Sequence, residues 1–177
     1  MDKYCNNMSV LKIVKYPSVI LKQKLSPVEN FNSDLKHIVR DMFETMYSYN
    51  GIGLAANQVG IEKRIVVIDV SLKEEKKIPP MALINPEIVS YSKKLFSAEE
   101  GCLSFPGFFE KVSRSVSVEV EYYDINGKKQ RIIAEGLLSR VLQHEIDHIN
   151  GITFVKRMSV EKQMKFYLKF FLGKYKF

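Results

Sequence analysis

The sequence predicts an α+β fold, and three observations carry that prediction. Two stretches, one ending before Gly51 and one starting at Leu137, have the 3.6-residue apolar period of helices. Between them, from Met81 to Ala134, the signal is β. No strand–helix–strand repeat joins the two kinds of element, which argues against a doubly wound parallel sheet. The expected architecture is small mixed or antiparallel sheets around a central helix, with one helix towards the N-terminus and one at the C-terminus.

Asn32 or Ser33 can cap the first helix, whose apolar stripe is Leu35, Ile38, Val39, Met42, Phe43, Met46 and Tyr47. Gly51 stands where a C-cap would. The segment Gly51-Ile52-Gly53-Leu54-Ala55-Ala56-Asn57-Gln58 reads as a turn too small in side chain for a core strand. Arg64 to Val70 reads as a buried strand, and the charged run Lys73 to Pro80 as a loop. Val116, Val118, Val120 and Tyr122 alternate with polar residues, so one face of their strand is buried. Asn126-Gly127 supplies two positive-φ residues for a tight hairpin returning through Gln130 to Ala134. The helical period then runs from Leu137 to Asn150 with Gly151 as its stop, and a last helix is expected from Ser159 to the C-terminus.

Composition bounds the function classes. The 177 residues are 46% hydrophobic and 27% charged, which suits one globular domain and not a disordered chain. Residues 1–8 are expected to be a flexible extension. A chain this long needs neither disulfides nor a structural metal merely to fold. No stretch approaches the roughly 18 apolar residues of a membrane span. Met1 to Met8 has no apolar core of a signal peptide, so a cytoplasmic location is expected. Cys5 and Cys102 do not suggest a disulfide framework. Lys plus Arg exceed Asp plus Glu by 27 to 20, a net +7 that raises the question of an anionic partner.

The chemistry concentrates in Gln143-His144-Glu145-Ile146-Asp147-His148, which contains H-E-x-x-H. On a helix, side chains at i and i+4 lie on one face about 6 Å apart, so two imidazoles can share one metal ion. Glu145 is rotated away, placed to miss the metal and act as a general base. The plain alternative is a pair of surface histidines on a solvated face. Leu137 and Val141 share the face of His144 and His148, which argues against it. His37, alone on the first helix, is expected at the surface.

The third ligand decides the class. Extension to H-E-x-x-H-x-x-G-x-x-H fails, because Phe154 stands where the last histidine belongs. Glu161 is the only downstream acid and lies in a basic helix. Cys102 is the better candidate; taken alone, it would read as a small buried apolar residue.

Three segments together resemble the peptide deformylase family: Gly51 to Gln58 with G-x-G-L-A-A-x-Q, Glu100 to Ser104 with E-G-C-L-S, and Gln143 to His148 with Q-H-E-x-D-H. The similarity runs from about Val10 to Lys156. It implies that Cys102, His144 and His148 hold a divalent metal with water in the fourth position. That water would attack the formyl carbonyl of an N-formylmethionyl nascent peptide, releasing formate. Glu145 would move the proton, with the Gln58 side chain and the Leu103 N–H meeting the oxyanion. The resemblance further implies that Gly51, Ile52 and Gly53, with Glu100 and Gly101, bind substrate, and that Ile52, Leu137 and Val141 line a methionine pocket. Iron(II) is the ion the family points to, and zinc suits the same donors.

The sequence departs from the family pattern in places. Met8-Ser9-Val10-Leu11 looks like a usual family start, so Met8 is an alternative initiator and Cys5 a bystander. Phe108, Phe109 and Glu110 stand where many members carry a basic residue. Tyr16-Pro17-Ser18 lacks the aspartate often found after that proline. Ser159 to Phe177 carries five lysines against Glu161. That segment is expected to dock on its own domain, with ribosome contact as the alternative, a membrane surface less favoured and no role for DNA.

Overall fold

The computed structural model describes residues 9–71, 73, 78–175 and 177. Cys5, the expected extension at 1–8 and the Met8 start lie outside them. Helix α1 spans Ser33–Ser48, and the Asn32 side chain caps it by accepting from the Leu35 N–H at 3.1 Å. Leu35, Val39, Met42 and Met46 are buried along one stripe. The residue that reverses the chain after α1 is Asn50 (φ 54°), not Gly51. Asparagine tolerates the left-handed region, and the Gly51 N–H instead closes onto the Met46 carbonyl at 2.9 Å.

Five strands form one antiparallel sheet in the order β1-β2-β3-β6-β7: Gly53–Ala55, Ile65–Ile68, Met81–Tyr91, Ser117–Tyr123 and Lys129–Glu135. All four residues of β2 are buried, as its unbroken apolar run requires. The segment read as a plain turn contains the edge strand β1, which pairs Gly53 with Ile68 and Ala55 with Val66. Its small side chains are what let it lie close beneath a helix.

The turn between β6 and β7 also differs from expectation. Of Asn126 and Gly127 only Gly127 has positive φ (80°). The Asp124 N–H meets the Lys128 carbonyl at 2.9 Å, leaving a three-residue loop rather than a two-residue one. The Asp124 carboxylate holds that loop, accepting from the Asn126 and Lys128 N–H groups at 2.9 and 3.0 Å.

β4 (Leu95–Gly101) and β5 (Phe109–Ser115) pair as a separate two-stranded sheet, from Leu95 with Ser115 to Gly101 with Phe109. Helix α2 (Gly136–Ile149) lies between the two sheets, and from Val141 to Ile149 every residue is buried. A second apolar cluster, separate from the main core, gathers Tyr16, Phe105, Phe108, Phe154 and Phe166. Helix α3 (Val160–Phe171) docks on it through Phe166, which is 2% exposed. This helix ends at Phe171, short of the expected end. Gly173 (φ 68°) turns the chain, and Tyr175 and Phe177 stack back onto Phe166. Among the described residues no helix is long and apolar enough to cross a membrane.

Candidate metal centre

Helix α2 is fixed at both ends. The Gly136 N–H donates to the Val116 carbonyl at 3.1 Å. Gly151 (φ 74°) ends the helix against the backbone of Lys22 and Gln23, where a Cβ would come within 2.5 Å of the Lys22 carbonyl oxygen. One turn of α2 therefore presents His144 and His148 together, with their Nε2 atoms 3.2 Å apart. Cys102, on the loop that leaves β4, places its Sγ 3.2 Å from His148 Nε2. The three donor atoms all lie within 4.8 Å of one another.

The donors fit a cation. A 3.0 Å hydrogen bond from Nδ1 of His144 to Oε2 of Glu100 sets that ring's tautomer, which leaves its Nε2 a lone pair. Burial holds His148 well below its ordinary pKa and so neutral. His148 Nδ1 has no hydrogen-bond partner among the described residues, so His148 too can turn a bare Nε2 towards the shared space. His144 is drawn the opposite way, up to about 10: burial opposes its charge, but Cys102 and Glu100 outweigh that. The three donor atoms, all within 4.8 Å of one another, are close enough to share one cation. One thiol and two imidazoles are a donor set for zinc or iron.

Behind the donors runs a chain of buried charge. Glu100 accepts a fork from Arg114, with Nε and Nη2 both at 3.0 Å, and a further bond from Arg140 at 2.6 Å. Burial alone would raise its pKa, but the bonds from His144 and Arg114 pull it down to about 2. Arg114 also binds Asp147, which Arg157 holds from the other side at 2.9 Å. This carboxylate–guanidinium chain fixes the His144 ring from the two-stranded sheet. The Glu100 carboxylate, expected at the substrate, is committed to these cations and to His144. Arg114, Arg140 and Arg157 were not singled out by the sequence reasoning. The signal available was Arg114 falling in register with buried Val112 on β5, a cation at an inward position.

Glu145 sits beside the donors, 5% exposed, and its buried Oε2 has no hydrogen-bond partner among the described residues. Burial pushes its carboxyl up to about 7, with His144 and Arg114 pulling the other way. Gly53 admits this carboxylate, because a Cβ there would lie 2.6 Å from Oε1 and 2.8 Å from Val141 Cγ1. The Gln58 Oε1 accepts from the Ala55 N–H at 2.8 Å, which aims Nε2 towards Cys102 Sγ and Ser104 Oγ, each at 3.4 Å. Among the described residues the Leu103 N–H has no hydrogen-bond partner.

A cavity of about 790 Å³ opens over this group. Gly51, Ile52, Gly53, Gln58, Glu100, Gly101, Cys102, Leu103, Leu137, Val141, His144 and Glu145 all line it. His148, fully buried, lies behind. Other candidates fall elsewhere. His37 is exposed on α1, and Glu161 pairs with Lys165 on α3. The Phe154 ring packs 5.8 Å from His144, filling the space a third histidine would need. Phe108 is buried in the aromatic cluster, Phe109 is exposed over Gly101, and Glu110 pairs with Lys162 at 2.8 Å.

Comparison with known proteins points the same way. The model of the polypeptide deformylase family matches residues 10–164. The peptide deformylase of Thermodesulfovibrio yellowstonii is 47% identical over 163 residues, 92% of this chain and 98% of that protein. A peptide deformylase structure from Ehrlichia chaffeensis superposes with a TM-score of 0.84 at 42% identity, covering 94% of this chain and 97% of that one. One from Synechococcus elongatus, solved in complex with actinonin, gives 0.81 at 44% identity, covering 88% and 84%. With the family model matched over residues 10–164 and relatives this similar along most of its length, the chain belongs to the polypeptide deformylase family.

Proposed function

We propose that the protein hydrolyses the formamide of N-formylmethionyl nascent peptides, releasing formate and a free N-terminal methionine. The carrying observation is the convergence of Cys102, His144 and His148 beside the unpartnered Glu145 carboxylate, at the bottom of an apolar cavity. Cys102, His144 and His148 would hold the divalent cation, iron(II) in the working enzyme with zinc able to replace it. Such an ion supplies Lewis acidity, polarising the formyl oxygen and lowering the pKa of a water.

The chain's own residues do the rest. Glu145, poised near neutrality by burial, accepts the proton of the attacking water and returns it to the departing amine nitrogen. Gln58 Nε2, held facing Cys102 by the Ala55 N–H bond to its Oε1, and the Leu103 N–H donate to the oxygen that becomes negative. Gly51 and Ile52, leading into the edge strand β1 at Gly53, offer backbone for strand-like pairing with substrate, with Gly101 on the other wall. Ile52, Leu137 and Val141 receive the methionine side chain. Glu100 serves this reading as a positioning residue for His144.

Residues 1–177 act in this reading as one metallohydrolase domain working in a bacterial-type cytoplasm. Phe166, with Tyr167 and Phe170 packed beside it, anchors α3 by its aromatic face, and the exposed Lys169 on that helix is available for ribosome contact. Incubating iron-loaded protein with formyl-Met-Ala-Ser should release formate. Absence of formate with the metal verified at the site would overturn the assignment. Glu145→Ala should keep the metal and lose turnover.

A further inference from the structure

A cavity of about 790 Å³ is large enough for a drug-sized ligand, and so for several residues rather than one methionine side chain. The residues after the methionine must therefore meet its mouth. One wall of the mouth is the N-terminal segment, and hydrogen bonds hold that segment rigid. The Leu11 N–H donates to Thr45 Oγ1 at 2.8 Å, the Val14 N–H to the Gln58 carbonyl at 2.8 Å, and the Tyr16 N–H to the Ser104 carbonyl at 2.9 Å. Buried Ile13 is the apolar contact of this wall with the cavity, and Lys12 and Lys15 flank it. Both lysines are exposed, and among the described residues neither has a hydrogen-bond or ion-pair partner for its ammonium.

The remaining charges at the cavity do not cancel them. Glu100 and Arg140 neutralise each other, and Glu145 sits at the floor. Glu99 is the single solvent-facing acid at the mouth among the described residues, against Lys12, Lys15 and Lys73. We propose that Lys12 and Lys15 are specificity-determining residues that favour formylmethionyl peptides carrying an acidic side chain in the residues following the methionine, and disfavour basic ones. This rests on the formyl-peptide reading and extends it to the substrate's second to fourth residues. Exposed charge pairs of this kind change affinity by about two- to five-fold each, and salt screens them.

The test measures binding of formyl-Met-Ala-Glu-Ser, formyl-Met-Ala-Gln-Ser and formyl-Met-Ala-Lys-Ser to metal-loaded Glu145→Ala protein by calorimetry. The expected order is Glu, Gln, Lys, with the first about five-fold or more tighter than the last at about 0.01 M salt and the spread collapsing near 1 M. Lys12→Glu with Lys15→Glu should reverse the order. Equal affinities at low salt, or an order untouched by the double reversal, would overturn the assignment. Formate release from the Gln peptide by the unmodified protein separates the two claims. No formate sinks the formyl-peptide reading, whereas formate with charge-blind binding sinks the lysines alone.

Discussion

Replacing Arg114 by methionine tests the buried charge chain most directly. The arginine is 4% exposed and makes three charge-assisted hydrogen bonds, two to Glu100 and one to Asp147. Breaking a buried ion pair by removing one partner costs about 3–5 kcal/mol, because the other charge is left behind in a low-dielectric site. Here neither carboxylate is fully abandoned. Glu100 keeps Arg140 and His144, and Asp147 keeps Arg157. The expected loss is therefore at the low end, about 3 kcal/mol, or roughly a hundred-fold in the folding equilibrium. Because Glu100 also orients His144, metal affinity should fall by about 10–100-fold. Urea denaturation with metal in constant excess reads the first quantity, and competition with a chelator reads the second. A stability loss below about 1 kcal/mol would show that the network is electrostatically idle, and the account of His144 orientation would fall with it.

Other expectations follow from the same geometry. Gly53→Ala should displace the Glu145 carboxylate, lowering kcat by about a hundred-fold while metal content stays unchanged; unaltered kcat would remove Glu145 from the proton-moving role. Gly151→Ala should cost about 3 kcal/mol or more in thermal or urea unfolding, since its Cβ meets backbone at positive φ and backbone cannot swing aside as a side chain can. The Glu110–Lys162 bridge ties α3 to β5. Lys162 depresses the Glu110 pKa in the folded protein, so its contribution is present above about pH 4.5 and lost as pH falls through the lower folded value. Both groups are about a third exposed, so that contribution is below about 1 kcal/mol, and Glu110→Gln should abolish this part of the acid sensitivity.

The donor pair was legible because it depends on spacing alone: i and i+4 on a helix face one way whatever surrounds them. Cys102 was legible only through the chemistry that the two histidines demand. The Arg114 chain was not, because it joins β5, β4 and α2, and no local pattern says which strands lie opposite a given helix. Gly53 misled for a related reason. Its small size looked like a turn, yet it records the close approach of Glu145 from a helix more than eighty residues further along. The turn after β6 went wrong over a competing hydrogen bond, since the Asp124 carboxylate selects a longer loop than Asn126-Gly127 prefers. The end of α3 was hidden in the same way, because the return of Tyr175 and Phe177 is decided by aromatic rings far back in the chain.

The edge strand β1 is only three residues long, and the short helical turn that follows it closes off any extension. In the pairing proposed above, a free edge of that length would hold the head of a polypeptide and nothing more. Binding strength should therefore level off within the first few residues of the substrate, leaving a long chain held no more tightly than a short one. An enzyme built this way would have no purchase on the body of the polymer, and chain length would leave its release unchanged.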